Sequence, residues 1–588
     1  MPWIPRGNCT CNEVITRLRK SNCGWAPPAV DGHIFFTGRE YKGPCKDVLN
    51  MCRINIPKAS SWDITRAFES ALKMLPCSIS TRDINNTLHM VKIHKDSWES
   101  KFISTKEVYQ VRKLLKGMVI GGLDKNQNEL WATCPVLYEK TLHKLYNAET
   151  GYRKVCLRKI TSYQRKKHGT SGLYKYVLSQ EFPKPRPNQI GSERDVIQAW
   201  GLLYRDKGWN RFAKFDRKGA FNIPYCLYKA KNSTPETRVA KLHKARPLAP
   251  QTKHPMRDLL GKAGRAWYFM SVQRDDRLQF EIPLVSDIPN FIDRASSQMR
   301  SCGNDFEVKL FDIEGCFPNM PKEAIRAAAR DYVAYFHKLG KQGVWIPRAR
   351  LKKPSWDLPK IPKGGTWIPL EELKDILEFA LDNAYIKMPD GTIRHQVQGI
   401  PMGDPLSPGM TIMTCAWMER EWMSGLRAMD TIFFKAARYM DDIMLFYSKN
   451  PIWASERFLQ DFSKSECYWA PLKLEEAEPG KFLETSYVKE GSHISYRLKN
   501  VNEESIKVWR YHHYRSRLAY ATKRATMMAA LRKAFDMGSD SEQKLIGIQA
   551  KCKEFINLEY PPGILKFMCV RLYHETGHTV WLIAKGTI

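Results

Sequence analysis

Arg438-Tyr439-Met440-Asp441-Asp442-Ile443-Met444-Leu445-Phe446 decides the fold of this chain. Two adjacent carboxylates sit between apolar stretches rich in β-formers. That pattern predicts two short strands with the Asp pair at the tight turn between them. Two bare carboxylates about 4 Å apart repel by roughly 4 kcal/mol at an effective dielectric near 20. Such a pair needs a cation, or one member turned away; a solvated acidic hairpin is the bland alternative.

A third carboxylate in similar company weighs against the bland reading. Glu307-Val308-Lys309-Leu310-Phe311-Asp312-Ile313-Glu314-Gly315-Cys316-Phe317 alternates charged and apolar residues on its approach to Asp312. This predicts a half-buried strand ending on Asp312, a turn through Pro318 and Pro321, and a helix from Lys322 to Tyr335. A strand-end Asp beside a hairpin-turn Asp can build a two-metal site. Two Mg²⁺ roughly 3.5–4 Å apart clamp the attacking and leaving oxygens of a phosphoryl displacement. Hard oxygen ligands suit Mg²⁺, and Mn²⁺ is the expected substitute.

Phe311-Asp312-Ile313-Glu314-Gly315-Cys316-Phe317 is followed by Gln398-Gly399-Ile400-Pro401-Met402-Gly403-Asp404-Pro405-Leu406-Ser407-Pro408 and then by Tyr439-Met440-Asp441-Asp442. In that order these stretches resemble palm motifs A, B and C of reverse transcriptases. RNA replicases usually carry Gly-Asp-Asp where this chain has Met-Asp-Asp. The Asn-Met-Pro turn, a Phe-Leu-Glu hairpin at 482–484 and a Tyr-Pro tail at 560–561 resemble Penelope-like enzymes, while Asp-Ile-x-Gly-Cys-Phe leans toward group II intron enzymes. The resemblance covers roughly 240–575.

The resemblance implies an α+β right-hand polymerase with fingers, palm (antiparallel sheet plus helices) and helical thumb, with an N-terminal extension. The expected division is 1–190 for a basic extension, 191–304 for fingers, 305–504 for palm and 505–588 for thumb, with an insertion and fingers-side hairpin at 337–395. It implies an RNA-directed DNA polymerase acting on an RNA template, a DNA or RNA primer and dNTPs, from a retroelement or a domesticated relative. A viral RNA-dependent RNA polymerase and a non-catalytic RNA-binding relative are the alternatives. Asp312, Asp441 and Asp442 become the metal ligands, with Ile313 offering its backbone carbonyl. Lys244 and Arg246, two apart and so on one face of a strand, become the clamp on the triphosphate. Phe317, five residues after Asp312, becomes the aromatic that blocks a ribose hydroxyl. Gln398 and Gly399 become nucleotide contacts, and Lys473 the proton donor to pyrophosphate, with Lys481 its rival.

Composition agrees with a nucleic-acid partner. The 588 residues carry 94 Lys and Arg against 61 Asp and Glu, a net charge of +33, so an acidic partner is expected: nucleic acid first, an anionic membrane surface second. Residues 151–190 hold ten Lys or Arg and one acid, Glu181, interleaved with Tyr152, Tyr163, Tyr174 and Tyr176, as strand-tracking surfaces do. Pro183-Lys184-Pro185-Arg186-Pro187 reads as an extended linker. The helical region from 505 carries basic residues such as Arg510, Arg524 and Arg532 between apolar ones, as a thumb on duplex backbone would.

No apolar run of about 18 residues predicts a membrane span, and Met1 to Arg6 lack the apolar core of a secretory signal. An intracellular protein with no membrane partner is expected; nucleus, organelle and cytoplasm are not distinguished, nor is oligomeric state. The fifteen cysteines are irregularly spaced. Cys9, Cys11, Cys23, Cys45 and Cys52 lack paired C-x-x-C units, which argues against zinc and for reduced free thiols. Helices are expected at Trp62 to Leu75, Ser104 to Gly117, Leu370 to Asn383, Pro408 to Met423 and Trp453 to Lys464, and a hairpin at Tyr385 to Ile393. Residues 337–368 read as a surface loop, and no internal repeat is expected. No ribonuclease H, integrase, aspartic protease or GIY-YIG signature is evident.

Overall fold

The computed structural model describes residues 8–50, 105–178, 185–229, 245–274, 280–356, 364–426, 430–449 and 459–588, with positions 80 and 86 and without 22, 304, 350, 465, 504, 515 and 517. Lys244, Cys52, the expected helix at Trp62 to Leu75 and the start of that at Trp453 lie outside the described residues. The chain divides into two compact units, Met1–Tyr138 with Tyr228–Lys244 and Asn500–Ile588, and Glu139–Leu227 with Ala245–Lys499. The architecture is α+β, with antiparallel pairing throughout the named sheets. Among the described residues no helix is long and apolar enough to cross a membrane.

The first unit holds a four-stranded sheet of β1 (Ala29–Val30), β2 (His33–Thr37), β3 (Val119–Leu123) and β4 (Asn126–Thr133), in the order β1-β2-β4-β3. Trp131 lies over Gly121, where a Cβ would come within 2.4 Å of the indole, and its Nε1–H donates to the Gly122 carbonyl at 2.9 Å. A glycine there is a space requirement. The amphipathic helix Cys11–Lys20 buries Val14 and Leu18. Ser104 to Gly117 is realised as the helix Thr105–Leu114. The same unit contains the C-terminal helices Tyr520–Asp536, Ser541–Asn557, Pro562–Thr576 and Val580–Thr587. Asp540 starts the second of these by accepting the Gln543 N–H at 3.0 Å, a typical N-cap bond.

The second unit is built on β5 (Phe306–Ile313), β6 (Phe434–Tyr439), β7 (Asp442–Ser448) and β8 (Leu474–Glu476), in the order β6-β7-β5-β8. Strand residues alternate faces, and both faces of β7 are covered. Ile443, Leu445 and Tyr447 join one core with Phe311 and Ile313 and the helices Lys322–Lys338 and Ser407–Ser424. Met444 and Phe446 join a second core with Leu310, the helix Ile288–Ser301 and the strands Thr485–Glu490 and His493–Leu498. Burial on both sides is why Ile443 to Phe446 reads as an unbroken apolar run. Met410, Met413 and Trp417 pack into the core as expected. The helix Leu370–Asp382 and the strands Tyr385–Lys387 and Ile393–Gln396 also match the sequence reading.

Residues 337–368 are not simply a loop. Gly343–Pro347, Ser355–Trp356 and Gly365–Pro369 form a three-stranded antiparallel sheet. Two of its strands are a short repeat missed in the sequence, Gly343-Val344-Trp345-Ile346-Pro347 and Gly365-Thr366-Trp367-Ile368-Pro369, paired so that Trp345 faces Trp367. Each indole covers the glycine that begins the other strand, leaving no space for a Cβ at Gly343 or Gly365.

Candidate active site

The β-ladder brings the acidic residues of two distant segments together. Asp442 is the cross-strand partner of Asp312, and Tyr439 pairs with Asp442 across the turn made by Met440 and Asp441. Directly opposed residues have Cα atoms about 4.5–5.5 Å apart and side chains on one face. Asp312 and Asp442 therefore share the face that carries Leu310 and Met444. Asp441, on the turn itself, accepts the Ile313 N–H through its carbonyl at 2.9 Å. Met440 adopts φ +60° to make that turn. All three carboxylates are partly exposed at one end of the sheet. On the far side of Asp312, β8 contributes Glu475 as a cross-strand partner, and the Glu314 N–H donates to the Lys473 carbonyl at 2.9 Å. Lys473 is exposed beside the end of β5, whereas Lys481 pairs with Glu478 at 3.9 Å.

The second group of residues from the sequence reading is assembled around a short helix, Cys316–Asn319. The Ile400 N–H donates to the Phe317 carbonyl at 2.9 Å, and Gln398 Nε2 lies 3.4 Å from Asn319 Oδ1. Gly399 has φ +69°, and a Cβ there would lie 2.1 Å from the Pro318 oxygen and 2.6 Å from that of Phe317. The close approach Gly399 permits in the folded chain is to the protein's own backbone. Arg246 opens the strand Arg246–Leu248 opposite Leu227. Three residues on, the Ala249 N–H donates to the Met402 carbonyl at 2.8 Å, laying this segment along the Gly399–Gly403 loop. A cavity of about 90 Å³ lies between them, lined by Pro247, Ala249, Pro318, Gln396, Ile400 and Met402 among others.

Sequence reading assigned no role to Arg438, which is completely buried under the acidic turn. Its guanidinium forms ion pairs with Glu281 at 2.6 Å and with Glu419, and its Nη1 donates to the Met440 carbonyl at 3.1 Å. Tyr468 donates to Glu419 at 2.9 Å, and so does the Phe280 N–H. One cation thus ties two buried carboxylates to the residue that makes the turn. Burial pushes the Glu281 carboxyl up to about 7, against the pull of Arg438. The available signal was Met418-Glu419-Arg420-Glu421, a charged cluster in an otherwise apolar helix.

The expectation about zinc is overturned. Cys9, Cys11, His33 and Cys134 in the first unit place four potential ligand atoms within 4.8 Å of one another. Cys9 and Cys11 belong to the irregularly spaced N-terminal cysteines, whereas His33 and Cys134 come from elsewhere in the unit. The cluster comes from strand pairing and not from local spacing: the Cys134 N–H donates to the Ile34 carbonyl at 2.9 Å, which sets the end of β4 beside the start of β2.

No family model and no curated protein matches the chain. Among solved structures it is similar to telomerase from Candida albicans in complex with a TWJ fragment of telomeric RNA, at 10% identity and a TM-score of 0.45 over 99% of this chain and 94% of that one. It is also similar to apo telomerase from Candida tropicalis, at 10% identity and a TM-score of 0.40 over 98% and 96%. A third likeness is to the Sicinivirus 3Dpol RNA-dependent RNA polymerase, at 12% identity and a TM-score of 0.35 over 65% and 70%. Likenesses this distant carry no argument about the chemistry of this chain.

Proposed function

We propose that this chain is an RNA-directed DNA polymerase that extends a primer 3′-hydroxyl with deoxynucleotides, as the enzyme of a retroelement or a domesticated relative. The observation that carries the reading is the pairing of Asp312 with Asp442 beside the turn residue Asp441. Three carboxylates on residues adjacent in the ladder, at a partly exposed sheet end, are the hard ligands that suit Mg²⁺, with Mn²⁺ as substitute. Two such ions, when bound, supply activation of the primer hydroxyl and neutralisation of charge on the phosphates.

The chain's own groups take the remaining roles in this reading. Asp312 and Asp441 hold the ions, Asp442 supports them, and the Ile313 carbonyl is a further oxygen ligand. Arg246 and Lys244 bind the β,γ-phosphates, Arg as the bidentate partner. Phe317 closes the space at the sugar C2′, and Gln398 and Gly399 contact the incoming nucleotide. Lys473 donates the proton that the departing pyrophosphate needs, a contribution typically worth 10²–10⁴-fold.

Two surfaces support contact with nucleic acid. In the helical segment Ser162–Leu178, which kinks at Gly169, Tyr163, Arg165, Lys166 and Lys167 lie before the kink and are exposed, a stacking and phosphate-binding combination. In the C-terminal helices, Tyr520, Arg524, Arg532, Arg571 and Glu575 line a groove of about 570 Å³, in which Glu575 pairs with Arg532 and Arg571 and the excess of arginine suits a phosphate backbone. The test is primer extension on RNA and DNA templates with dNTPs or NTPs. Extension with dNTPs on RNA, abolished by Asp441→Asn with RNA binding retained, is expected. Extension with NTPs alone would mean an RNA polymerase, and salt-sensitive binding without extension a non-catalytic relative.

A further inference from the structure

We propose that Cys9, Cys11, His33 and Cys134 bind one Zn²⁺ as a closed structural site that fastens the N-terminal helix to the β1–β4 sheet. The four ligands come from three places. Cys9 and Cys11 flank the start of the helix Cys11–Lys20, His33 opens β2, and Cys134 follows the last residue of β4. Tetrahedral zinc, with Zn–S near 2.3 Å and Zn–N near 2.0–2.1 Å, sets sulfurs about 3.8 Å from one another and about 3.6 Å from a nitrogen ligand. Cys9 Sγ lies 3.6 Å from His33 Nδ1, and all the ligand atoms lie within 4.8 Å of one another. Closing on an ion requires movements of about 1 Å.

The surroundings fit a metal thiolate better than independent thiols. Cys11 and Cys134 are 5% and 0% exposed, so two of the sulfurs are removed from water beside a third. The Ile34 N–H points at Cys11 Sγ at 3.3 Å, the kind of second contact that steadies a ligating sulfur. Three sulfurs and an imidazole are a soft set that selects zinc over the hard cations of carboxylate sites. Four protein ligands leave no position for a substrate, which makes the site structural and chemically separate from Asp312, Asp441 and Asp442. The helix has modest ties of its own to the rest of the unit: Thr10 Oγ1 donates to the Gly117 carbonyl at 3.2 Å and Arg17 Nε to that of Leu114 at 3.0 Å. A shared ion adds a covalent-strength link between segments more than a hundred residues apart in the chain.

The experiment uses the full chain reconstituted with zinc and desalted. Elemental analysis and native mass spectrometry are expected to give one zinc per chain. Cobalt in its place is expected to show tetrahedral ligand-field bands with thiolate charge transfer. The double variant Cys9→Ser/Cys11→Ser is expected to lose the metal, while Cys23→Ser and Cys45→Ser keep it. Replacing buried Cys11 can unfold the segment, so thiol labelling of the wild type provides a separate reading: chelation should release three further reactive cysteines. Sub-stoichiometric zinc in the reconstituted wild type, full zinc in the double variant, or a thiol count unchanged by chelator would each overturn the proposal.

Discussion

Asp312 and Asp442 face each other across an antiparallel pair, with their side chains on the same side of the sheet. In the proposed reading these carboxylates and the neighbouring Asp441 serve the bound ions, so neutralising one of them should remove the chemistry. Asp312→Asn and Asp441→Asn are each expected to lower primer extension on the order of 10³-fold or more. Extension within tenfold of wild type by either variant would remove these carboxylates from the reaction.

Phe317 sits on the four-residue helix that follows β5 and is half-buried against the core. Phe317→Ala therefore mixes two effects, a packing loss of about 1–3 kcal/mol and an opened space beside the sugar. The preference for dNTP over NTP, measured as a ratio of kcat/KM, should fall by about tenfold or more. An unchanged ratio with a lowered melting temperature would leave Phe317 a packing residue only.

Gly399 is held at φ +69° with the Pro318 oxygen 2.1 Å from where a Cβ would stand. Gly399→Ala meets both a left-handed backbone, costing about 1–3 kcal/mol, and an overlap with rigid main chain. The variant should melt lower, and because the Ile400–Phe317 bond is displaced, its KM for dNTP should rise. A variant with wild-type melting and KM would show that the loop relaxes freely.

Arg438 compensates two buried carboxylates and bonds the turn carbonyl of Met440. Arg438→Met leaves Glu281 and Glu419 without their cation, and breaking such a buried pair typically costs about 3–5 kcal/mol. A melting curve should show the loss even where zinc and RNA binding persist. Because the turn carries Asp441, kcat should fall further than KM changes. Adding Glu281→Gln to Arg438→Met removes one of the two uncompensated carboxylates and should recover part of the stability but not the rate.

How much of this was legible in the sequence follows from the range of the interactions. The strand ending at Asp312, the turn at Asp441, the helix Lys322–Lys338 and the Tyr385 hairpin are set by local pattern, and each was readable. The Arg438 network was not, because its three partners, Glu281, Glu419 and Tyr468, lie on separate segments and only the fold makes them neighbours. The metal cluster was missed for the same reason: Cys134 meets Cys11 through the pairing of β2 with β4, so a search for closely spaced cysteines could not find it. The strands at Gly343 and Gly365 were missed differently, since Pro-rich, basic flanks suggested a loop and hid a five-residue repeat that was plainly there.

Glu281 supplies a pH test of the buried network. Burial raises its carboxyl to about 7 in the folded chain, whereas an unfolded Glu titrates near about 4.3. Between those values the folded state holds the proton more tightly, so stability falls as pH rises, a contribution present below about pH 4 and lost by the time pH passes 7. The full swing is on the order of 3 kcal/mol. Glu281→Gln mimics the protonated form at every pH. Its melting temperature should match the wild type near pH 4.5 and exceed it progressively up to pH 8, where the wild type carries an ionised pair of carboxylates around one guanidinium. Parallel melting profiles for the two proteins from pH 4.5 to 8 would show that Glu281 keeps its ordinary titration, with Arg438 fully offsetting its burial.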